Sequence, residues 1–207
     1  MHPRHELMDW KRRVLAMYAS VRSAGADPAT CAAFRAERDE LFAEHPASPL
    51  PAAERAAFAG LPYFPYRPDL RVEADLVPDP EGAELVIPTS TGEPTRFTRI
   101  GFVRPVLAGT PASLAVFWLE GYGGGLFLPF RDALAGAETY GGGRYLLDTV
   151  MGADLGMSAD GEHMVLDFNY AYNPSCAYDP RWSCPLAPPE NRLTVAVRAG
   201  EMSAGIA

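Results

Sequence analysis

The hydrophobic period changes once along this chain, near Leu70, and that change limits the folds open to it. Before it, Leu7, Trp10, Val14, Met17 and Val21 recur at three- and four-residue intervals, the spacing of one helix face. After it, Leu70, Val72, Ala74 and Leu76 alternate with Arg71, Glu73 and Asp75, the spacing of a strand with one wet face. Because strands and helices do not alternate along the sequence, a doubly wound parallel sheet is not expected. The expected class is α+β, mainly β: an antiparallel meander closing into a barrel or sandwich, preceded by two or three N-terminal helices.

Local signals place the elements. A first helix is expected over 6–23, stopped by Gly25. Asp27-Pro28 then supplies an N-cap and a first-turn proline for a second helix running to about 44, with Cys31, Phe34 and Leu41 on one face. A short third helix follows over 48–60. The prolines of Leu61-Pro-Tyr-Phe-Pro-Tyr-Arg-Pro demand an extended segment. Strands are expected over 70–76, 83–87, 95–107, 112–120, 126–130, 143–147, 164–170 and 193–197, with a turn over 90–94. The organisation read from this is a helical lead, 1–60, packed on a β-rich domain, 61–207.

Charge narrows the partners. The net charge of −8 is uneven: ten Lys or Arg face nine Asp or Glu up to Val72, and eight face seventeen beyond it. An acidic β-rich part without a basic cluster is unsuited to phosphate-rich surfaces, so neither nucleic acid nor a membrane is an expected partner. A small organic molecule is, and a homodimer is compatible with the sequence. The first ten residues lead into no apolar signal segment, and no apolar run is long enough to span a bilayer. Three cysteines, an odd number without an export signal, point to a reducing, cytoplasmic setting.

Residues that carry chemistry crowd between Gly121 and Asn191. Gly121-Tyr-Gly-Gly-Gly and Gly141-Gly-Gly-Arg fit neither a dinucleotide fingerprint nor a phosphate-binding loop, so no cofactor is expected and the glycines read as turns. In the stretch 164–170, Asp167 and Asn169 share a face that Asn173 extends, opposite Met164, Leu166 and Phe168. A barrel-facing Arg144 would need an anion there, and Asp167 or Glu190 is the expected partner, at the mouth of the main pocket. Cys176 and Cys184 lie too far apart in sequence for a zinc pair, so no metal is expected, and the Asp179-Pro180 turn should bring them together as free thiols. Asp132, Asp148, Asp167 and Glu190 are the candidate acids or bases. The resulting expectation is an aromatic-walled pocket with Asp167, Glu190 and Cys176 as catalytic groups, and Arg144, Asn169, Asn173, Tyr140 and Trp118 holding a neutral or mildly anionic substrate. Proton transfer, hydrolysis and cyclisation all suit that set, and a non-catalytic ligand-binding or interaction module is the alternative.

The ordered motifs Phe97-Thr-Arg-Ile-Gly-Phe, Gly121-Tyr-Gly-Gly-Gly, Leu126-Phe-Leu-Pro-Phe-Arg-Asp, Leu166-Asp-Phe-Asn-Tyr-Ala-Tyr-Asn-Pro-Ser-Cys, Cys184-Pro-Leu-Ala-Pro-Pro-Glu-Asn-Arg-Leu and Val197-Arg-Ala-Gly-Glu resemble the bacterial and archaeal family of domain of unknown function 1684. The resemblance runs from about Phe34 to Glu201. It implies no reaction, cofactor or substrate.

Overall fold

The computed structural model describes residues 2–92 and 94–204; Met1, Glu93 in the turn expected over 90–94, and residues 205–207 lie outside the described residues. Helix α1, Pro3–Ala24, starts with a proline in its first turn and ends at Gly25, buying its place in the fold with one apolar stripe: Trp10, Val14, Met17, Tyr18 and Val21 are buried. Helix α2, Pro28–Glu44, is capped by Asp27, whose carboxylate accepts the Ala29 and Thr30 amides at 2.7 and 2.9 Å. Its buried face holds Cys31, Phe34, Leu41, Phe42 and, unexpectedly, Arg38. Helix α3 is a single turn, Ala52–Arg55, shorter than the 48–60 expected. Upstream of it the Ser48 hydroxyl donates to the Phe42 carbonyl and accepts the Leu50 amide, which fixes a turn instead.

Among the described residues ten strands follow: β1 Arg71–Ala74, β2 Val77–Pro78, β3 Glu84–Pro88, β4 Pro94–Val103, β5 Val106–Leu107, β6 Thr110–Pro111, β7 Leu114–Leu119, β8 Gly125–Phe130, β9 Arg144–Asp148 and β10 Met164–Asp167. All strand pairings are antiparallel. In the main sheet β2 and β3 share one edge of β4, and β7, β8 and β9 continue from the other edge. The pairings do not return from β9 to β2 or β3, so among the described residues the sheet is open and no closed barrel forms. The separate β1–β10 pair covers it, with Leu70, Ala74, Met164 and Leu166 sharing one core with Val116, Leu128 and Leu146. A second core lies under the helices, where Trp10, Tyr18, Phe34 and Phe42 meet Val165, Tyr170 and Tyr178.

Three expected strands are altered, each for a local reason. The 95–107 stretch breaks at Arg104-Pro105, where proline has no amide for the ladder. The 164–170 stretch ends at Asp167, whose side chain accepts the Asn169 amide at 2.9 Å and turns the chain into a 3₁₀ helix over Phe168–Tyr170. No strand forms over 193–197. That backbone lies beside 131–133 through Leu193 N–H to Arg131 (2.7 Å) and Ala133 N–H to Val195 (3.1 Å), and its later carbonyls turn inward to Arg144. Among the described residues no helix is long and apolar enough to cross a membrane.

Candidate functional site

Arg144 opens β9 directly after Gly143, a glycine with φ 97° whose Cβ would lie 2.7 Å from the Phe130 carbonyl oxygen. The close approach admits the guanidinium to the core, where Arg144 is 1% exposed. Its expected partner is corrected by the geometry. Asp132 stands 3.6 Å away, and the guanidinium donates to the carbonyls of Val197 (2.9 Å), Glu201 (3.1 Å) and Ala199. Burial lowers the Arg144 pKa to about 10, against the opposing pull of Asp132 and Glu201, so it stays charged at neutral pH. Asp132 itself accepts the Thr139 hydroxyl at 2.8 Å and the Val197 amide at 2.9 Å. This is a packed polar strut, away from the main cavity.

The other expected groups separate. Glu190 meets Arg99 at 3.3 Å on the surface, because the next residue, Asn191, is pulled inward: its side chain bonds Ala115 N–H, Ala115 C=O and Pro129 C=O at 2.7, 2.9 and 2.7 Å. Asp167 lies beside Asn169, at 2.8 Å, and Asn169 straps the proline-rich segment through both backbone groups of Arg67. Burial raises the Asp167 pKa, and its Oδ2 has no partner. It borders a smaller cavity of about 260 Å³ with Arg22 and Arg71. Trp118 lies against Gly124 in the β7–β8 hairpin, exposed, and lines neither this cavity nor the aromatic-walled one described next. Tyr140 and Cys176 do meet, hydroxyl to sulfur at 3.7 Å.

An aromatic-walled cavity of about 330 Å³ lies between the helices and the end of β9. Trp10, Val14 and Tyr18 of α1 and Phe42 of α2 form one wall; Tyr145, Tyr172, Trp182 and Cys184 form the other. Antiparallel hydrogen bonds between Tyr145 and Tyr172, at 2.8 and 3.1 Å, set these two rings edge to face. Asp148, the last residue of β9, enters this cavity. It keeps one face open yet is packed round by protein. Burial lifts its pKa to about 6, opposed by the Met151 amide (3.2 Å), Lys11 and the Tyr172 hydroxyl. Burial also holds the Tyr172 phenol protonated, well above its ordinary range.

Behind this wall lies a buried carboxylate that the sequence reading did not single out. Glu201 is 0% exposed and meets Arg38 at 3.2 Å, the Asn173 amide and side chain at 3.1 Å each, and the Tyr178 hydroxyl. Arg38 and Asn173 also line the cavity, and Arg38 Nε and Asn173 Oδ1 have no hydrogen-bond partner. The available signal was Arg38 itself, a charge placed at helical spacing between Phe34 and Leu41. Thus Asn173 is the expected site residue that reaches the cavity, and Asp148 is its titrating group.

Residues 56–202 match the family described as "Protein of unknown function (DUF1684)". An uncharacterized protein of Haloarcula marismortui, solved by solution NMR, is 37% identical, with the likeness covering 85% of this chain and 94% of that one at a TM-score of 0.62. No curated protein matches the chain. The matched family segment begins after both long helices. One wall of the cavity therefore comes from outside that segment and the other from within it.

Proposed function

The chain belongs to the DUF1684 family, and we propose that this member binds a small, largely apolar organic molecule between its helices and its sheet and moves a proton on it through Asp148. The observation that carries the reading is a carboxyl group lifted to about pH 6 by burial inside a cavity of about 330 Å³ walled by aromatic rings. A group with that pKa is present in both protonation states near neutrality, which suits a general acid or base. Tyr172, held as a neutral phenol, stands near the carboxylate and favours its charged form, opposing part of the effect of burial. Arg38 Nε and Asn173 Oδ1 offer one free donor and one free acceptor to orient the ligand. The proposed step uses no nucleotide and no metal.

The tryptophans give a built-in test. Trp10 and Trp182 line the cavity, and Trp118 does not. In a fragment screen read by the indole N–H signals of labelled tryptophan, hits that move Trp10 and Trp182 and spare Trp118 support the reading. Hits confined to Trp118, or a broad screen that moves neither cavity indole, overturn it.

A further inference from the structure

The second cluster with chemistry of its own is the cysteine pair at the cavity's rim. Cys176 sits in a 3₁₀ turn, Ser175–Ala177, and is partly exposed; Cys184, eight positions on, is 9% exposed and lines the cavity. The Cys176 amide donates to the Cys184 sulfur at 3.3 Å, which holds the Cys184 side chain against the turn that carries Cys176. The intervening loop is pinned rather than free. Trp182 N–H closes onto Asp179 C=O at 3.2 Å, the Arg181 guanidinium reaches Ser48 C=O at 3.2 Å, and the Trp182 indole reaches Pro49 C=O at 3.2 Å. Ser90 fixes the far side, giving its hydroxyl proton to Trp182 C=O and accepting the Cys184 amide. The loop between the two cysteines is thus pinned by contacts that do not depend on the oxidation state of either sulfur.

We propose that Cys176 and Cys184 form a reversible dithiol–disulfide couple, with Cys176 the attacking sulfur and Cys184 the resolving one. Exposure decides the order, since a small oxidant reaches Cys176 first. The neighbouring Cys184 thiol pulls the Cys176 pKa down, helped by the Tyr140 hydroxyl at 3.7 Å, and the same pairing pushes Cys184 up. With a small-molecule disulfide as oxidant, the Cys176 thiolate attacks one sulfur, a mixed disulfide forms and one thiolate leaves. Cys184 then gives its proton to that thiolate and attacks the Cys176 sulfur, expelling the second thiolate. One oxidant disulfide becomes two thiols, and the protein gains one disulfide. Since Pro174 and Ser175 line the cavity on one side of the new bond and Ser183 and Cys184 on the other, oxidation draws two wall segments together.

The test reads thiols rather than turnover, so it stands or falls apart from the Asp148 chemistry. The folded full chain is equilibrated in buffers of reduced and oxidised glutathione, quenched by alkylation and mapped by peptide mass spectrometry. The expected result is one linked peptide pair, Cys176 with Cys184, appearing and disappearing reversibly with the buffer ratio. Cys31, 1% exposed, remains a free thiol throughout. Cys184→Ser should retain glutathione on Cys176, whereas Cys176→Ser should leave Cys184 unmodified on the same timescale. Absence of the linked pair in the unaltered chain at every ratio overturns the proposal without recourse to a variant, as does Cys176→Ser reacting as fast as the unaltered chain.

Discussion

The Arg38 guanidinium meets the Glu201 carboxylate at 3.2 Å with both side chains almost wholly out of water, tying helix α2 to a residue 163 positions away. Removing either partner strands the other's charge in the core. Arg38→Met or Glu201→Gln should each cost about 3–5 kcal/mol of unfolding free energy. The double variant should cost clearly less than the sum. Urea titrations of the four proteins give the coupling directly, and strict additivity would show that the two side chains act independently.

Asp148 should make the protein less stable as pH rises. Its folded pKa, about 6, lies above its ordinary value of 3.8. The folded state therefore holds a proton that the unfolded state has lost between roughly pH 4 and pH 6, and unfolding free energy falls across that window by up to about 3 kcal/mol. Asp148→Asn keeps an acceptor for the Met151 amide but cannot ionise. It should match the parent near pH 4 and exceed it in stability at pH 8. A variant less stable than the parent at pH 8 would mean that the carboxylate stabilises the fold when charged.

Arg144→Lys replaces a planar fork that serves three carbonyls and Asp132 with a single ammonium. The expected loss is about 3 kcal/mol, seen as a lower urea midpoint. Ligand shifts at Trp10 and Trp182 should persist in the folded variant, because Arg144 does not line the cavity. Loss of those shifts with folding intact would return Arg144 to the binding site.

Gly200 has φ 72°, and a Cβ there would stand 2.5 Å from the Ala171 carbonyl oxygen and 2.6 Å from that of Phe168. Gly200→Ala should lower stability by at least about 3 kcal/mol, combining backbone strain with overlap against main chain that cannot yield. Gly161, at φ 77° with open space around it, isolates the strain alone, so Gly161→Ala should cost only about 1 kcal/mol. Thermal melts of the two variants side by side measure the difference.

The two long helices were legible because their burial is periodic and their caps are chemical: Asp27-Pro28 starts α2 as its side-chain oxygen requires. Most strands were legible for the same reason of period. The misread stretches are those where side chains compete with the backbone ladder, as at Asp167 and Ser48, where Pro105 has no amide to offer it, or where carbonyls serve Arg144 rather than a neighbouring strand. The inward turn of Arg144 follows from its glycines, but its partner does not. Asp132 reaches it through packing of the 131–139 loop, and nothing in the spacing separated Asp132 from Asp148, Asp167 or Glu190. The cavity was harder still, since one of its walls is built by helices that precede the matched family segment.

Arg144 also sets an order on synthesis. Its carbonyl acceptors lie 53 to 57 positions later in the chain. At roughly 5–20 residues per second, the nascent protein carries a guanidinium without its acceptors for on the order of 3 to 10 s after Arg144 is added. During that interval β9 cannot bury its first residue in the main core without leaving the guanidinium short of its three carbonyl acceptors, with Asp132 as its one partner already made. The stretch from Val197 to Glu201 therefore acts as a latch. Until it arrives, the sheet has a charged residue where its core must close, and the earlier strands have no complete fold to settle into.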